Sequence, residues 1–147
     1  MPRFQLAQLN LAHMKYLMDD PAMADFVARL EEINTLADQA PGFVWRLQGE
    51  KETTAAMDVF GADMLVNMSV WQDIDSLYDY VYRSTHNQVM ALRKQWFERM
   101  EEAYSVLWWV EAGHLPGPRE ASERLDHLRT NDASAFAFNF KNPFAPQ

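Results

Sequence analysis

The chain has no cysteine. Disulfides, thiolate nucleophiles and Cys-ligated zinc are therefore excluded, and the absence lends only mild support to a reducing cytoplasm. Glycine is sparse, with five in 147 residues, and none falls into a P-loop or a Gly-x-Gly-x-x-Gly phosphate cradle. His-Glu-x-x-His and Gly-x-Ser-x-Gly are missing too, which disfavours zinc proteases and elbow-type hydrolases. Basic charge is in the minority: 13 Lys and Arg face 21 Asp and Glu, for a net charge of −8 and a pI near 4.9. Nucleic acids need a concentrated basic surface, so they are not expected partners. No apolar run approaches membrane-spanning length, and Met1 to Gln5 lack a signal-peptide core. The expectation is a cytoplasmic protein without membrane contact.

What the chain does have is bulk. Nine Phe, five Tyr, five Trp and nine Met suit either a heavy core or a lined cavity, since each buries a large area. The length predicts one domain over residues 1–147. Within it, a core is expected over residues 3–111, with a C-terminal helix and tail over 112–147.

Alternation predicts a first strand over residues 3–12, with Ala7, Leu9 and Leu11 on one face and Leu6, Gln8 and Asn10 on the other. Asp20 before Pro21 caps a helix whose apolar positions are Met23, Phe26, Leu30, Ile33 and Ala37. Pro41 and Gly42 stop it, and Phe43, Trp45 and Leu47 alternate with Val44, Arg46 and Gln48 in a second strand. Residues 49–63 are polar and read as a hairpin loop. The third strand, residues 64–71, puts Leu65, Asn67, Ser69 and Trp71 on one side, and Met64, Val66, Met68 and Val70 on the other. Asp73 caps a helix carrying Ile74, Leu77, Tyr78 and Val81. Thr85 and Gln88 form a capping box that restarts a helix burying Val89, Leu92, Trp96 and Met100, with Phe97 beside them. Residues 104–111 are the fourth strand. A charged helix follows to about Thr130, and then Phe136, Phe138 and Phe140 recur at a spacing of two.

The fold class expected from this order is α+β: a ferredoxin-like βαββαβ unit, an antiparallel sheet with helices on one face. The other face would then be bare, and if it carries Leu65, Trp71 and a Trp of the fourth strand it is too apolar for water. A homodimer pairing two sheets into a barrel satisfies it.

Pro41, Gly42 and Phe43 opening strand two resemble the dimeric α+β barrel superfamily. So do Ser69, Val70 and Trp71 before an Asp-capped helix with Tyr80, Val81, Tyr82, Arg83 and Ser84 ahead of His86. That superfamily includes antibiotic-biosynthesis and haem-degrading monooxygenases. The whole chain, with Leu107 to Val110 and the Phe-rich tail, more closely resembles an uncharacterised bacterial domain-of-unknown-function family there. The resemblance implies a cofactor-independent monooxygenase-like activity on an aromatic or polyketide-like small molecule. In such oxygenases an Asn and a Trp hold the substrate, and Asn67 and Trp71 are similar in type and placement. The haem branch uses a strand-one Asn, a helical Trp and a helical His. Asn10 and His86 could stand for two of these, but Tyr78, Tyr80 and Tyr82 occupy the helix where the Trp would be.

The residues themselves nominate a site. Asn67 sits in an apolar strand, where an amide costs stability unless hydrogen-bonded. It, Trp71 and His86 are the candidate catalytic residues, with His86 at a helix start serving as a base for a phenolic proton. Asn10, Arg46, Tyr82, Trp96 and Trp108 are the candidate substrate contacts. The ordinary alternatives are a structural hydrogen bond for Asn67, core packing for Trp71 and a salt bridge for Arg46. His86 has Val89 and Met90 where a helical metal-ligand partner would sit, and the Glu123–His127 pair reads as surface charge. No metal and no cofactor is expected. A non-catalytic small-ligand-binding module and a haem-binding protein are the competing functions.

Overall fold

The computed structural model describes residues 3–83, 95–100 and 102–146. Its elements are β1 (Phe4–Met14), α1 (Ala24–Gln39), β2 (Phe43–Arg46), α2 (Glu50–Phe60), β3 (Met64–Trp71), α3 (Ile74–Arg83), β4 (Phe97–Glu98), β5 (Ser105–Glu111) and α4 (Pro118–Thr130). The strands form one five-stranded antiparallel sheet with β1 at its centre. One edge of β1 pairs with β3, which in turn pairs with β2; the other edge pairs with β5 and, beyond it, with the short β4. The architecture is α+β, with the expected extra C-terminal helix.

The helix starts follow local chemistry. Asp20 accepts a hydrogen bond from the Ala22 amide at 2.8 Å, and Pro21 opens the 3₁₀ turn that leads into α1. Asp73 accepts from the Ser76 amide at 2.8 Å at the head of α3. Gly42, at φ +83°, turns the chain into β2 against that helix, where any Cβ would collide with the Ser76 side chain.

Three expectations are corrected. The segment read as a hairpin loop contains α2, because Glu50 to Met57 are mostly good helix formers and Gly61 stops them. Ala56 is its buried anchor. In β2, a bulge between Phe43 and Trp45 breaks the alternation. Phe43 therefore packs with Trp71, while Trp45 joins the opposite face. Trp96 and Phe97 do not lie on a helix: Trp96 is in a turn, and Phe97 pairs with Met14 in β4. Met100 is likewise outside any helix, while Val89 and Leu92 lie outside the described residues.

The expected bare face is also corrected. Val66, Met68 and Val70 of β3 line up with Ala7, Leu9 and Leu11 of β1 and with Val106, Trp108 and Val110 of β5. This apolar face is packed by Ala121 and Leu125 of α4 and by Phe60 of α2. The chain's own α2 and α4 thus cover what the two-helix plan leaves open. The opposite face carries two separate apolar clusters. Leu6, Trp71, Leu107 and Trp109 pack with Ala37 of α1, Leu77 of α3 and Phe138 of the tail. Leu65, Ala12 and Met14 pack with Met23, Phe26, Trp96 and Phe97. The Phe-rich tail docks on the body, where Phe138 exchanges backbone hydrogen bonds of 2.8 and 2.9 Å with Leu107 on the edge of β5. Among the described residues, no helix is long and apolar enough to cross a membrane.

Candidate functional site

The candidate residues lie on the face that holds two clusters, in the rows between them. Register places residues in rows across the sheet. Trp109, Leu6, Trp71 and Phe43 make an apolar row; the next is Leu107, Gln8, Ser69 and Arg46; the one after is Ser105, Asn10 and Asn67. Polarity therefore rises from the first row to the third, and Asn67 is exposed to solvent.

The polar side chains of these rows are linked. Gln8, only 7% exposed, donates from Nε2 to Asn67 Oδ1 at 2.7 Å and to Ser69 Oγ at 2.8 Å. Ser69 Oγ also accepts from Trp71 Nε1 at 2.8 Å. Trp71 is 1% exposed. Its ring stacks on Tyr80 at 5.2 Å and meets Phe43 edge-on at 5.4 Å. An aromatic wall thus holds one end of a hydrogen-bonded line that surfaces at Asn67. Asn10, directly across from Asn67, keeps Oδ1 buried with no hydrogen-bond partner among the described residues.

Arg46 shares the Gln8 row, yet its guanidinium is turned to α1. Nε donates to Asp38 Oδ1 at 2.7 Å and Nη2 to Asp38 Oδ2 at 3.2 Å. Beside the pair, the Tyr80 hydroxyl donates to the Ile33 carbonyl at 3.1 Å. Burial pushes the Tyr80 phenol up to about 12; the Arg46 charge pulls against that and the Asp38 charge adds to it. Tyr80 is thus a neutral wall and no base at ordinary pH.

At its other end the polar row reaches Ser105. Ser105 also walls a cleft of about 470 Å³, shared with Tyr104, Asp132, Asn139 and Asn142. The cleft is open and as polar as it is apolar, and neither Asn10 nor Asn67 lines it.

The nominated residues do not all meet. Asn67, Trp71 and Asn10 share the face, and Arg46 lies in the neighbouring row but is occupied by Asp38. Trp108 is on the opposite face, because the register pairs it with Ala7 rather than Leu6. Its indole donates to Glu120 Oε2 at 2.8 Å. Trp109 occupies the place that Trp108 was expected to take. Trp96 is buried against Phe26 in the second cluster. Tyr82 is exposed and packs on Tyr78 and Phe140. His86 lies outside the described residues. Among the described residues no group of His, Cys, Asp and Glu side chains could hold a metal. Gln8 and Ser69 were not nominated, although alternation along β1 and β3 places both beside Asn67.

Comparison with solved structures finds a conserved protein from Methanosarcina mazei Go1, 12% identical, with a TM-score of 0.51 over 74% of this chain and 93% of that one. A protein of unknown function from Nitrosomonas europaea is 17% identical, with a TM-score of 0.47 over 78% of this chain and 97% of that one. A candidate antibiotic biosynthesis monooxygenase from Chloroflexus aurantiacus J-10-fl is 13% identical, with a TM-score of 0.43 over 77% and 97%. At such identities the first likeness concerns the fold alone. No curated protein matches the chain. Residues 5–147 match the family described as a domain of unknown function, DUF3291, and the chain belongs to that family.

Proposed function

We propose that this DUF3291 protein binds a small aromatic or polyketide-like molecule over the row Asn67–Asn10–Ser105. The observation that supports the reading is the orphaned Asn10 Oδ1. A buried acceptor left unpaired costs about 1–3 kcal/mol, and native proteins hold few of them without a purpose. A ligand hydroxyl met by a turn of the Asn10 side chain would relieve it, while the flanking aromatic clusters supply apolar walls. Replacing Asn10 by Leu removes the orphan. The expected outcome is a free protein more stable by about 1 kcal/mol, seen as a higher Tm, with loss of binding of a hydroxylated naphthalene. A lower Tm with binding retained would refute the assignment.

Turnover of that ligand by dioxygen is the finer form of the proposal, in keeping with the resemblance to cofactor-independent monooxygenases. Asn67 then orients the substrate oxygen and Trp71 shapes the wall, its indole N–H being committed to Ser69. His86 is the proton acceptor that the sequence nominates. Substrate-dependent oxygen uptake that Asn67→Ala abolishes is the expected result. Binding without uptake would leave a non-catalytic module. A Soret shift on hemin titration would favour haem binding instead. A barrel-type homodimer draws on a bare sheet face, and the apolar surface of each face here is packed by the chain's own elements. The site is accordingly proposed as complete within one copy.

A further inference from the structure

We infer that Gln8 is a positioning residue that fixes the hydrogen-bond polarity of the site, so that it selects ligands presenting an acceptor oxygen to Asn67. The inference rests on the binding site proposed above and adds the chemical sense of its ligand.

Gln8 Nε2 has two hydrogens, and both are used: one points to Ser69 Oγ at 2.8 Å and the other to Asn67 Oδ1 at 2.7 Å. Trp71 Nε1 is a donor only, so Ser69 Oγ is an acceptor from that side whatever else changes. The line therefore runs Trp71 to Ser69, Gln8 to Ser69 and Gln8 to Asn67. Because Oδ1 of Asn67 is engaged inward, its Nδ2 amide group is the atom left to face outward, and an amide nitrogen can only donate. Asn67 is exposed whereas Gln8 and Ser69 are buried, so the site meets a ligand through that N–H₂ group. A carbonyl, an enolate or a phenolate oxygen satisfies it. A ligand that offers only N–H does not.

Both Asn and Gln can turn over, and the network has an opposite sense. If Gln8 presented Oε1 to Asn67, Nδ2 would point inward and Oδ1 outward, and donor ligands would be favoured. The polarity of the site is thus set by the orientation of one buried amide that never touches the ligand, with the Nε2 group turned to Asn67 and Ser69 in this structure. Gln8→Glu imposes the opposite sense, since a carboxylate only accepts: Asn67 must then donate inward, and the Ser69 hydroxyl can turn to donate to Glu while still accepting from Trp71.

The test uses the full chain and two bicyclic probes of similar size that share a ring hydroxyl to serve Asn10 Oδ1. They are hydroxy-substituted 1-indanone (a carbonyl acceptor for Asn67) and hydroxy-substituted indole (an N–H donor in its place), for short 1-indanone and indole. Binding is followed on the side-chain N–H₂ signals of Asn67, identified by their loss in Asn67→Asp. The expected result is that 1-indanone binds about tenfold more tightly than indole, the effect of one exchanged hydrogen bond, and shifts those signals. Gln8→Glu should reverse the order, and Gln8→Met should bring the two affinities together. Should Gln8→Glu fail to fold, the wild-type ratio and the Gln8→Met ratio decide. Equal affinities in the wild type, a preference for indole, or a preference that survives Gln8→Met would overturn the role of Gln8 while leaving the site in place. If neither probe moves Asn67 or Asn10 signals, the binding site itself falls, and this inference with it.

Discussion

The two faces of the sheet come from the same central strands and differ in how they are packed and hydrogen-bonded. On one, Ala7, Leu9, Leu11, Met68, Val70, Val106 and Trp108 form a single buried cluster under α2 and α4. On the other, the apolar residues split into two clusters, one around Trp71 and one around Phe26. Between them run Gln8, Ser69, Asn67 and Asn10. The first face is what stability alone selects: no polar side chain of the strands interrupts it. The second gives up apolar contact for a hydrogen-bonded line and one unmatched acceptor. The lesson is that function is to be sought where the packing is divided.

That contrast can be broken from its strong side first. Trp108→Ala empties a fully buried site on the continuous face and should cost about 3–5 kcal/mol in chemical denaturation. Asn67→Ala, at an exposed position bonded only through Gln8 among the hydrogen bonds described, should cost about 1 kcal/mol. If both substitutions cost the same, the two faces are not energetically distinct. Next in size is the cover itself. Ala56→Asp sets a carboxylate into the buried anchor of α2 and should destabilise the protein by more than about 2 kcal/mol. Undocking α2 uncovers apolar sheet, so concentration-dependent self-association is expected by sedimentation velocity, with the wild type as control.

The smallest effect belongs to the wall of the divided face. The Tyr80 phenol is held at about 12, against about 10 for a free tyrosine. The folded state keeps a proton that the unfolded chain releases near 10, so the stabilising contribution is complete below pH 10. It is lost progressively as pH rises from 10 through 12. Absorbance titration at 295 nm should show a late-ionising tyrosine that Tyr80→Phe removes. Asp38→Asn should lower its midpoint, because the Asp38 charge raises it, while Arg46→Met should raise it further.

Much of this arrangement is legible in residue order. The alternation of Leu6, Gln8 and Asn10 against Ala7, Leu9 and Leu11 assigns β1 its faces, and the structure keeps both assignments. Leu65, Asn67, Ser69 and Trp71 share a face as the period of two requires. The capping signals at Asp20 and Asp73 also mark real helix starts. What escaped the sequence has specific causes. The β2 bulge is one extra residue with no marker of its own, and it moves Trp45 to the face opposite Phe43. The α2 helix was hidden because its polar surface outweighs a single small anchor, Ala56. Trp108 and Trp109 are adjacent and equally apolar, and only the pairing of Leu6 with Trp109 tells which belongs with Trp71.

Local order along the chain, then, determined the faces of β1 and β3, the helix caps, the acidic charge and the presence of an amide inside an apolar strand. These follow from periods of two and 3.6 and from backbone chemistry, which need no distant partner. Tertiary structure alone decided that α2 and α4 close the apolar face, that Asp38 takes Arg46, and that Gln8 ties Asn67 to Ser69 and Trp71. The Gln8 bonds join residues about sixty positions apart, and even the Asp38–Arg46 pair spans the turn from α1 into β2, so these contacts depend on register and docking rather than on local period.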